Sequence, residues 1–305
     1  MSEQVKTKKK KFFKESRRDK IYYITNFVAL FFLTIVIVYP LYFLVIASIS
    51  DSNLVMAGEV LFYPKGITLE GYKRLVEDSS IWIGYANTIF YTVFGTIFSL
   101  ILTIPAAWGL SRLNLPFRKF FMWMFIVPMF FGGGLIPFYI IVSELGMVNT
   151  RWSLIIPSAL SVWNVFMSKA YFETNIPKEI LEAGRLDGAG EIGLFFRFVV
   201  PLSKPIIAVI ALYCAVGQWN NYFGALVFLK NEDLYPLQLI LRDILIIEDT
   251  SAIGGGGGGT FQEQVKLANQ LKYTSIIVSS LPIILAYPFF QKFFNQGVLV
   301  GSLKS

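Results

Sequence analysis

The residues best suited to bind a small ligand are uncharged polar side chains in the middle of long apolar stretches. Asn164 lies in one such stretch, and a second contains four consecutive candidates: Gln218, Trp219, Asn220 and Asn221. Amides donate and accept hydrogen bonds, which suits a neutral solute rich in hydroxyl groups, and an indole adds a flat stacking surface. The same side chains also join packed helices inside membranes. The sequence therefore leaves two roles open for them, a solute pathway or a packing interface.

The composition argues against several other kinds of chemistry. The 305 residues include no histidine and one cysteine, Cys214. Histidine acid–base catalysis, zinc centres and disulfide frameworks need residues that this sequence lacks. We therefore expect no catalytic residue, no cofactor and no metal site, and we interpret Cys214 as a small buried apolar side chain.

The apolar stretches that contain the amides are long enough to be membrane-spanning helices. Only 15% of the residues are charged, and the mean hydropathy is +0.58, whereas about a quarter of the residues of an ordinary soluble domain are charged. A helix needs about 20 mostly apolar residues to cross a bilayer. Six stretches reach that length: 24–46, 88–110, 120–142, 154–172, 206–228 and 274–298. The sequence therefore predicts an all-α, polytopic membrane protein with six transmembrane helices.

The lysines and arginines indicate which side of the membrane each loop faces. If the N-terminus is cytoplasmic, 19 of the 27 lysines and arginines lie on the cytoplasmic side, as the positive-inside rule requires. Both termini are then cytoplasmic, with a basic segment at 1–20, a membrane domain at 21–298 and a tail at 299–305. The longer extracellular loops are 50–81 and 229–273. Basic clusters just before a membrane helix contact anionic lipid, so we expect a lipid bilayer and no nucleic acid as the partner of segment 1–20.

Two glycine clusters are interpreted as a break and a linker. Gly132, Gly133 and Gly134, followed by Pro137, predict a kink or break in the third apolar stretch. The run 254–259 is not followed by Gly-Lys-Ser/Thr, so a phosphate-binding loop is not indicated. We interpret that run as a flexible linker.

One cytoplasmic loop, at 173–204, has the pattern of two short helices joined at a glycine. Pro177 suits the first turn of a helix, and Gly188 suits its end. A second short helix is predicted over 191–199, ending before Pro201. Two such helices form a compact elbow on the membrane surface.

This elbow resembles the EAA loop in the permease subunits of bacterial ABC importers. The pattern of that loop is Glu-Ala-Ala, three residues, Gly, nine residues, Ile, any residue and then Leu-Pro. Glu182, Ala183, Gly188 and Pro201 match it in register. Three positions depart from the pattern while staying small or apolar: Gly184, Phe198 and Val200. A glycine in place of alanine is expected to weaken the first helix by up to about 1 kcal/mol.

The rest of the chain after residue 20 is similar to the carbohydrate branch of these importers. The segments that carry this similarity are 186–189, 200–205, 218–220 and 297–304, the last of which is similar to the ending of oligosaccharide-type permeases. The resemblance implies an ABC importer permease fold in the bacterial plasma membrane. It also implies import of a carbohydrate, in particular an oligosaccharide.

The resemblance further implies the partners and the residues that contact them. The elbow would dock on a separate ATPase subunit through Glu182, Ala183, Gly184, Asp187, Gly188 and Pro201. The implied assembly also contains a second, homologous permease subunit, two copies of the ATPase and an extracellular solute-binding protein. Because the chain has no Walker A sequence, ATP hydrolysis is expected on the partner, and the chain itself is not expected to be an enzyme.

Three alternative functions remain open at this stage. The first is an ion-coupled secondary transporter, although such carriers usually keep carboxylates or histidines inside the bilayer. The six predicted spans contain no Asp, Glu or His, and their two basic residues, Lys169 and Lys292, lie near span ends. The second alternative is an ABC permease for another class of solute. The third is a membrane-embedded scaffold or assembly factor without transport, which explains the apolar stretches but not the elbow. The sequence does not identify the particular sugar.

Overall fold

The structure, a computed structural model, describes residues 16–254 and 261–302, and the chain divides into two compact units between Thr68 and Leu69. Within the described residues every regular element is helical, so the predicted all-α class is confirmed. The linker interpreted at 254–259 lies outside the described residues after its first glycine, as do most of the basic segment 1–20 and the last three residues of the tail.

The first unit consists of a long helix and a short return segment. Helix α1 (Arg17–Ser48) contains the predicted span 24–46. It begins with a capping box, in which the Asp19 carboxylate accepts a hydrogen bond from the Ser16 backbone N–H at 3.1 Å. A five-residue helix, α2 (Ser52–Met56), follows it. In the isolated chain the apolar side chains of α1 are almost all exposed, as expected of a helix that contacts lipid.

The second unit is built around helix α4. Its α-helices, in chain order, are α3 (Glu70–Glu77), α4 (Ser79–Ser111), α5 (Arg118–Phe130), α6 (Leu135–Glu144), α7 (Trp152–Ile155), α8 (Val162–Asn175), α9 (Lys178–Leu186), α10 (Glu191–Leu194), α11 (Val200–Leu202), α12 (Lys204–Trp219), α13 (Tyr222–Phe228), α14 (Leu237–Gly254) and α15 (Phe261–Ser302). A π-helical segment (Phe195–Val199) joins α10 to α11, and a 3₁₀ turn (Glu232–Leu234) precedes α14. Helix α4 packs against α8, α12 and α14 and contributes to three buried apolar clusters.

Among the described residues, three helices are long and apolar enough to cross a bilayer. They are α1, α4 and the part of α15 at Asn269–Phe289. The number rises to five if two bent pairs each form one span: α5 with α6, and Glu191–Leu202 with α12. The structure therefore supports a polytopic membrane protein with three to five candidate spans.

The break predicted in the third apolar stretch is confirmed. Helices α5 and α6 are separated by four residues and meet at a bend of 120°. Gly134 has a φ angle of +82° at this point, a conformation that glycine adopts without the steric cost of a Cβ. The glycine cluster therefore ends one helix and starts the next at a sharp angle.

The stretch 154–172 is not one helix, so that prediction was wrong. Pro157 follows α7 closely and has no backbone N–H to donate to a continuing helix. Helix α8 starts only after Ser161, whose side chain accepts a hydrogen bond from the Asn164 N–H. Ser161 is therefore the N-cap of α8 and lies outside its first turn.

The stretch 206–228 is also interrupted, at Asn220 and Asn221, so the prediction of one helix there was wrong. Asn220 donates its side-chain amide to the carbonyl of Val216 at 2.9 Å. The Asn221 side chain caps α13 by accepting a hydrogen bond from the Gly224 N–H at 3.1 Å. Asparagine side chains that bond the backbone in this way compete with helix continuation, an effect that hydropathy does not register.

Side chains of α4 also hold the segment that precedes α14. Asn87 donates its amide to the carbonyls of Asp233 and Tyr235, at 2.7 and 3.1 Å. The Thr88 hydroxyl accepts a hydrogen bond from the Leu237 N–H at 2.8 Å. Both side chains are buried, and these bonds therefore fix the start of α14 against the central helix.

Candidate functional site

The first candidate site is the elbow, which the structure forms from α9, a glycine corner and the helical segment from α10 to α11. Helix α9 follows Pro177, which is its N-cap, and ends before Gly188, where φ is +82°. Across this corner the Ala189 N–H donates to the carbonyl of Gly184 at 2.9 Å. This is the hydrogen bond of a Schellman cap, so the predicted end of the first helix at Gly188 is confirmed.

The second arm of the elbow is longer than predicted. We expected a helix over 191–199 that stops before Pro201, whereas the helical segment continues to Leu202. The π-helical turn shifts the hydrogen-bond register ahead of Pro201, which then lies in the first turn of α11. Proline lacks a backbone N–H, and none is required in the first turn of a helix.

Gly184 allows the two arms to approach closely. A Cβ added there would lie 2.6 Å from Cδ2 of Leu194 and 3.2 Å from Cε2 of Phe198. Leu194 is 0% exposed, so its side chain has no free space into which to move. On the outside of the same contact, Arg185 and Glu191 form an ion pair at 2.6 Å. The departure of Gly184 from the Ala of the EAA pattern therefore has a packing reason.

The outer face of the elbow is exposed. Five of the six residues predicted to contact a partner are exposed: Glu182, Ala183, Asp187, Gly188 and Pro201. The sixth, Gly184, faces inward. Two large apolar side chains that sequence reasoning did not single out also lie on this face, with Leu186 90% and Ile192 77% exposed. Exposed apolar side chains grouped with polar ones are typical of a surface that binds another protein.

A charged cluster that the sequence did not reveal supports the elbow at the end of α8. Glu173 accepts from Arg118 and from Lys169, each at 2.8 Å. Arg118 also donates its Nε–H to the carbonyl of Leu110, at the end of α4, at 2.8 Å. These contacts join the ends of α4 and α8 to the start of α5, and they pair Lys169 with a carboxylate.

The second candidate site is a polar cavity of about 410 Å³ within the second unit. Its walls come from α4, α8, α12 and the two helix breaks: Ser99, Ser158, Ala159, Ser161, Asn164, Tyr213, Cys214, Gly217, Gln218 and Asn221. None of these lining residues carries a formal charge at neutral pH. The cavity can therefore offer hydrogen-bond donors and acceptors without an ionic group.

Gln218 is held firmly at the wall of this cavity. Its Nε2 donates to the Ser158 hydroxyl at 2.8 Å and to the carbonyl of Leu154 at 3.4 Å. The residue is 6% exposed, and its Oε1 has no partner among the described residues. On the opposite side, Gly95 of α4 leaves room for the amide, because a Cβ there would lie 2.7 Å from Nε2.

Two other predicted residues line the same cavity with part of their hydrogen-bonding capacity already used. Asn164 directs its amide nitrogen toward the sulfur of Cys214 at 3.6 Å. Asn221 uses Oδ1 for the cap of α13, at 3.1 Å from the Gly224 nitrogen. The Nδ2 group of Asn221 is not needed for that cap.

The structure places the remaining two predicted residues outside the cavity lining. Trp219 is buried between helices, where its Nε1 donates to the carbonyl of Ser279 at 3.0 Å and its ring lies 6.4 Å from that of Tyr85. Asn220 is exposed on another side of the break. Of the five predicted residues, the structure thus brings together Asn164, Gln218 and Asn221.

Several lining residues were missed from the sequence, among them Ser99, Ser158 and Tyr213. Each is a hydroxyl residue inside an apolar stretch, which is the one signal that could have identified them. That signal is weak, because serine hydroxyls in membrane helices commonly bond a carbonyl of their own helix. Ser158 illustrates both roles, since it donates to the carbonyl of Leu154 at 2.6 Å while it accepts from Gln218.

Comparison with known proteins gives consistent similarities over nearly the whole chain. A family model for the inner membrane component of binding-protein-dependent transport systems matches residues 79–300. Protein LplC of Bacillus subtilis is 33% identical over 289 residues, which are 95% of this chain and 97% of that protein. The polygalacturonan/rhamnogalacturonan transport system permease protein YtcP of the same organism is 34% identical over 275 residues, covering 88% and 93% of the two chains.

A solved structure is similar in fold as well as in sequence. It is the crystal structure of a bacterial ABC transporter involved in the import of the acidic polysaccharide alginate. One of its chains matches with a TM-score of 0.80 and 34% identity, over 92% of this chain and 99% of that one. The region matched by the family model contains both the elbow and the polar cavity.

Proposed function

This chain belongs to the family of inner membrane components of binding-protein-dependent transport systems, and we propose that it is a permease subunit through which an ABC importer carries a saccharide into the cell. It is a multi-pass protein of the bacterial cell membrane, and as a permease it is not itself catalytic. Its relatives YtcP and the alginate importer are named for polysaccharides, which supports a carbohydrate as the solute.

The observation that carries the choice of solute is the uncharged cavity. Asn164, Gln218 and Asn221 converge there from separate elements. The free Oε1 of Gln218 is an acceptor in a buried position, where an unpaired polar atom costs free energy unless a ligand or water satisfies it. A saccharide supplies hydroxyl donors and acceptors at every ring. The cavity therefore suits a sugar better than an inorganic ion or an amine.

We propose that the elbow couples this pathway to ATP hydrolysis on a separate subunit. Glu182, Ala183, Asp187 and Gly188 are exposed, so they are available to a partner. The inner face is packed into the same apolar cluster as α4 and α12. A displacement of the elbow is therefore transmitted to the two helices that also line the cavity.

The proposed assembly contains this chain, a second homologous permease, two copies of an ATPase subunit and an extracellular solute-binding protein. Purification of the complex from its native membrane tests this proposal. The expected result is co-purification of both other subunits, with ATP hydrolysis that rises when the binding protein and a saccharide are added. A homogeneous chain that transports sugar without nucleotide would contradict it.

We further propose six membrane crossings with both termini in the cytoplasm. The crossings are α1, α4, α5 with α6, α7 with α8, α12 with α13, and α15. In this arrangement residues 1–20 and 299–305 are cytoplasmic, 21–298 form the membrane domain, 173–204 form the coupling loop, and 50–81 and 229–273 face outward. Two basic residues, Lys169 and Arg118, lie at the end of α8 beside Glu173, and they support the cytoplasmic placement of that end.

Reporter fusions test this orientation. A reporter joined after Lys65 is expected to behave as extracellular, and one joined after Lys178 as cytoplasmic. A pair of enzymes with opposite requirements, alkaline phosphatase and β-galactosidase, provides the measurement. The reverse pattern would contradict the orientation and, with it, the assignment of the elbow as the ATPase contact.

Adjacent asparagines provide a matched test of the cavity. Asn221→Ser keeps an oxygen that caps α13 but removes the amide donor from the cavity wall. We expect it to raise the saccharide concentration for half-maximal uptake by about 2- to 10-fold, the loss of one hydrogen bond, and to leave basal ATP hydrolysis unchanged. Asn220→Ala is the control, since Asn220 lies outside the cavity lining. Equal effects of the two substitutions, or loss of assembly alone, would assign Asn221 to packing.

A further inference from the structure

A second pocket lies next to α13, and its lining combines the apolar side chains of Leu241, Leu245 and Ile276 with several polar ones. It has a volume of about 350 Å³ and is lined by α13, α14 and α15. Its polar side chains are those of Tyr222, Gln238, Arg242, Ser275 and Ser279. Tyr222 directly follows Asn221, which lines the uncharged cavity. The two sites therefore meet at the same short stretch of chain.

Arg242 gives this pocket a character that the uncharged cavity lacks. Its Nη1 donates to Oδ1 of Asp243 at 3.1 Å, and Asp243 is the one carboxylate paired with it among the described side chains. Asp243 itself is not part of the pocket lining. A guanidinium has five N–H donors in a planar fork, so one bond to Asp243 leaves further donors on a side chain that lines the pocket. That fork matches the two oxygens of a carboxylate.

Ser275 is a second observation, independent of Arg242, that favours a ligand site here. The residue is 2% exposed, and its hydroxyl has no hydrogen-bond partner among the described residues, although it lines the pocket. A buried hydroxyl without a partner is unfavourable. Ser275 is thus a second polar group, on a different helix from Arg242. Its Oγ is buried in this structure, so a change of its χ1 rotamer would bring the hydroxyl to a ligand in the pocket.

We propose that this pocket binds a carboxylate of the transported saccharide, so that the natural solute is an oligosaccharide that contains uronic acid. The inference rests on the proposed function as a saccharide permease and adds the charge of the solute. Arg242 binds the carboxylate, Ser275 donates to it or to a neighbouring hydroxyl, and the uncharged cavity beyond Asn221 receives the neutral part of the chain. A saccharide of several rings contacts both sites in sequence.

The test uses the complete transporter in lipid vesicles, with its ATPase and binding protein. The probes are oligomers of galacturonate and of mannuronate, each beside its methyl ester, which has the same rings without the charge. The measured quantity is the saccharide concentration that half-maximally stimulates ATP hydrolysis. For the unsubstituted transporter, we expect this concentration to be lower for at least one acid than for its ester.

Arg242→Gln is expected to raise that concentration by roughly 10- to 100-fold for the acid, the value of one charge-assisted hydrogen bond, and to leave the ester unaffected. Lys230→Gln removes the same charge from an exposed position outside the pocket and is expected to change neither. Ser275→Ala, which leaves the pair of Arg242 and Asp243 intact, is expected to raise the value for the acid by about 3- to 10-fold.

Three results would overturn the carboxylate site. These are stimulation by the esters alone, an unchanged response of Arg242→Gln to the acid, and loss of the second permease from the purified Arg242→Gln complex with a normal response of Ser275→Ala. The last result would show that Arg242 pairs with the partner chain. A fourth result, stimulation by neutral oligosaccharides but by neither the acids nor the esters, would also overturn this site and leave the proposed saccharide function intact. If no saccharide of any of these kinds stimulates hydrolysis, the proposed function itself fails.

Discussion

Replacement of Gly188 by tryptophan is expected to abolish uptake while the protein remains in the membrane. Gly188 has a φ angle of +82°, which costs an L-amino acid about 1–2 kcal/mol. No atom lies within 4 Å of a Cβ built there, so the indole would not disturb the interior. It would project from the outer face of the elbow, where the ATPase subunit is proposed to dock. Uptake in vesicles and the amount of membrane-inserted protein are the two measurements.

Two smaller substitutions separate the backbone effect from the surface effect. Gly188→Ala introduces the strain without the bulk, and we expect only a partial loss of uptake. Gly190→Ala is the control, because Gly190 has ordinary angles (φ −70°, ψ 170°) and equally open surroundings, so uptake should be normal. If Gly188→Trp supports normal uptake, the elbow is not the coupling element.

Gly184→Leu is expected to cause a comparable loss by a different route. The new side chain would occupy the space of Leu194, whose Cδ2 lies 2.6 Å from a Cβ at position 184. Overpacking of a buried contact typically costs about 1–3 kcal/mol, and here the strain would force the two arms of the elbow apart. We expect the ATPase subunit to dissociate more readily from the purified complex and uptake to fall with it.

A compensating change makes this second prediction specific. Leu194→Ala removes the opposing methyl groups, so the double variant Gly184→Leu/Leu194→Ala should recover part of the uptake that Gly184→Leu loses. Gly193→Ala serves as the control, since its nearest neighbour, Cβ of Ala189, is 3.8 Å away. If Leu194→Ala gives no recovery, the contact between the arms does not explain the effect of Gly184→Leu.

Local sequence signals were sufficient for much of the helical architecture. Long apolar runs located α1, α4 and the apolar part of α15, and a glycine cluster located the sharp bend between α5 and α6. The same method merged α7 with α8 and α12 with α13. Those breaks depend on Pro157 and on asparagine side chains that bond the backbone, and an average over apolar residues does not register either feature.

The elbow shows the same division between local and spatial information. Pro177 and Gly188 mark the ends of α9 by their own backbone preferences, so the sequence was enough to place them. The need for glycine at 184 arises only when Leu194 packs against it from the second arm. Likewise, the ion pair between Arg118 and Glu173 joins residues that are 55 positions apart in the chain.

The polar residues of the cavity were predicted in part for a related reason. Asn164, Gln218 and Asn221 were singled out as amides at mid-helix, and the structure groups them. The break after Trp219 then changes the direction of the chain, so that neighbours in sequence face different surroundings. Trp219 is buried and donates a hydrogen bond to the carbonyl of Ser279, whereas Asn220 is exposed. The prediction from helical spacing assumed one continuous helix, so it could not distinguish the residues that line the cavity from Trp219 and Asn220, which do not.

The thiol of Cys214 makes the cavity accessible to spectroscopy. Cys214 is half-buried at the cavity wall, and it is the one cysteine of the chain. A maleimide fluorophore or a nitroxide therefore attaches to this subunit at a single native position, without engineering of a cysteine-free background. The rate of alkylation from either side of the membrane would then report which gate is open, and an alternating-access cycle would be visible as a switch in the side from which the reagent reacts.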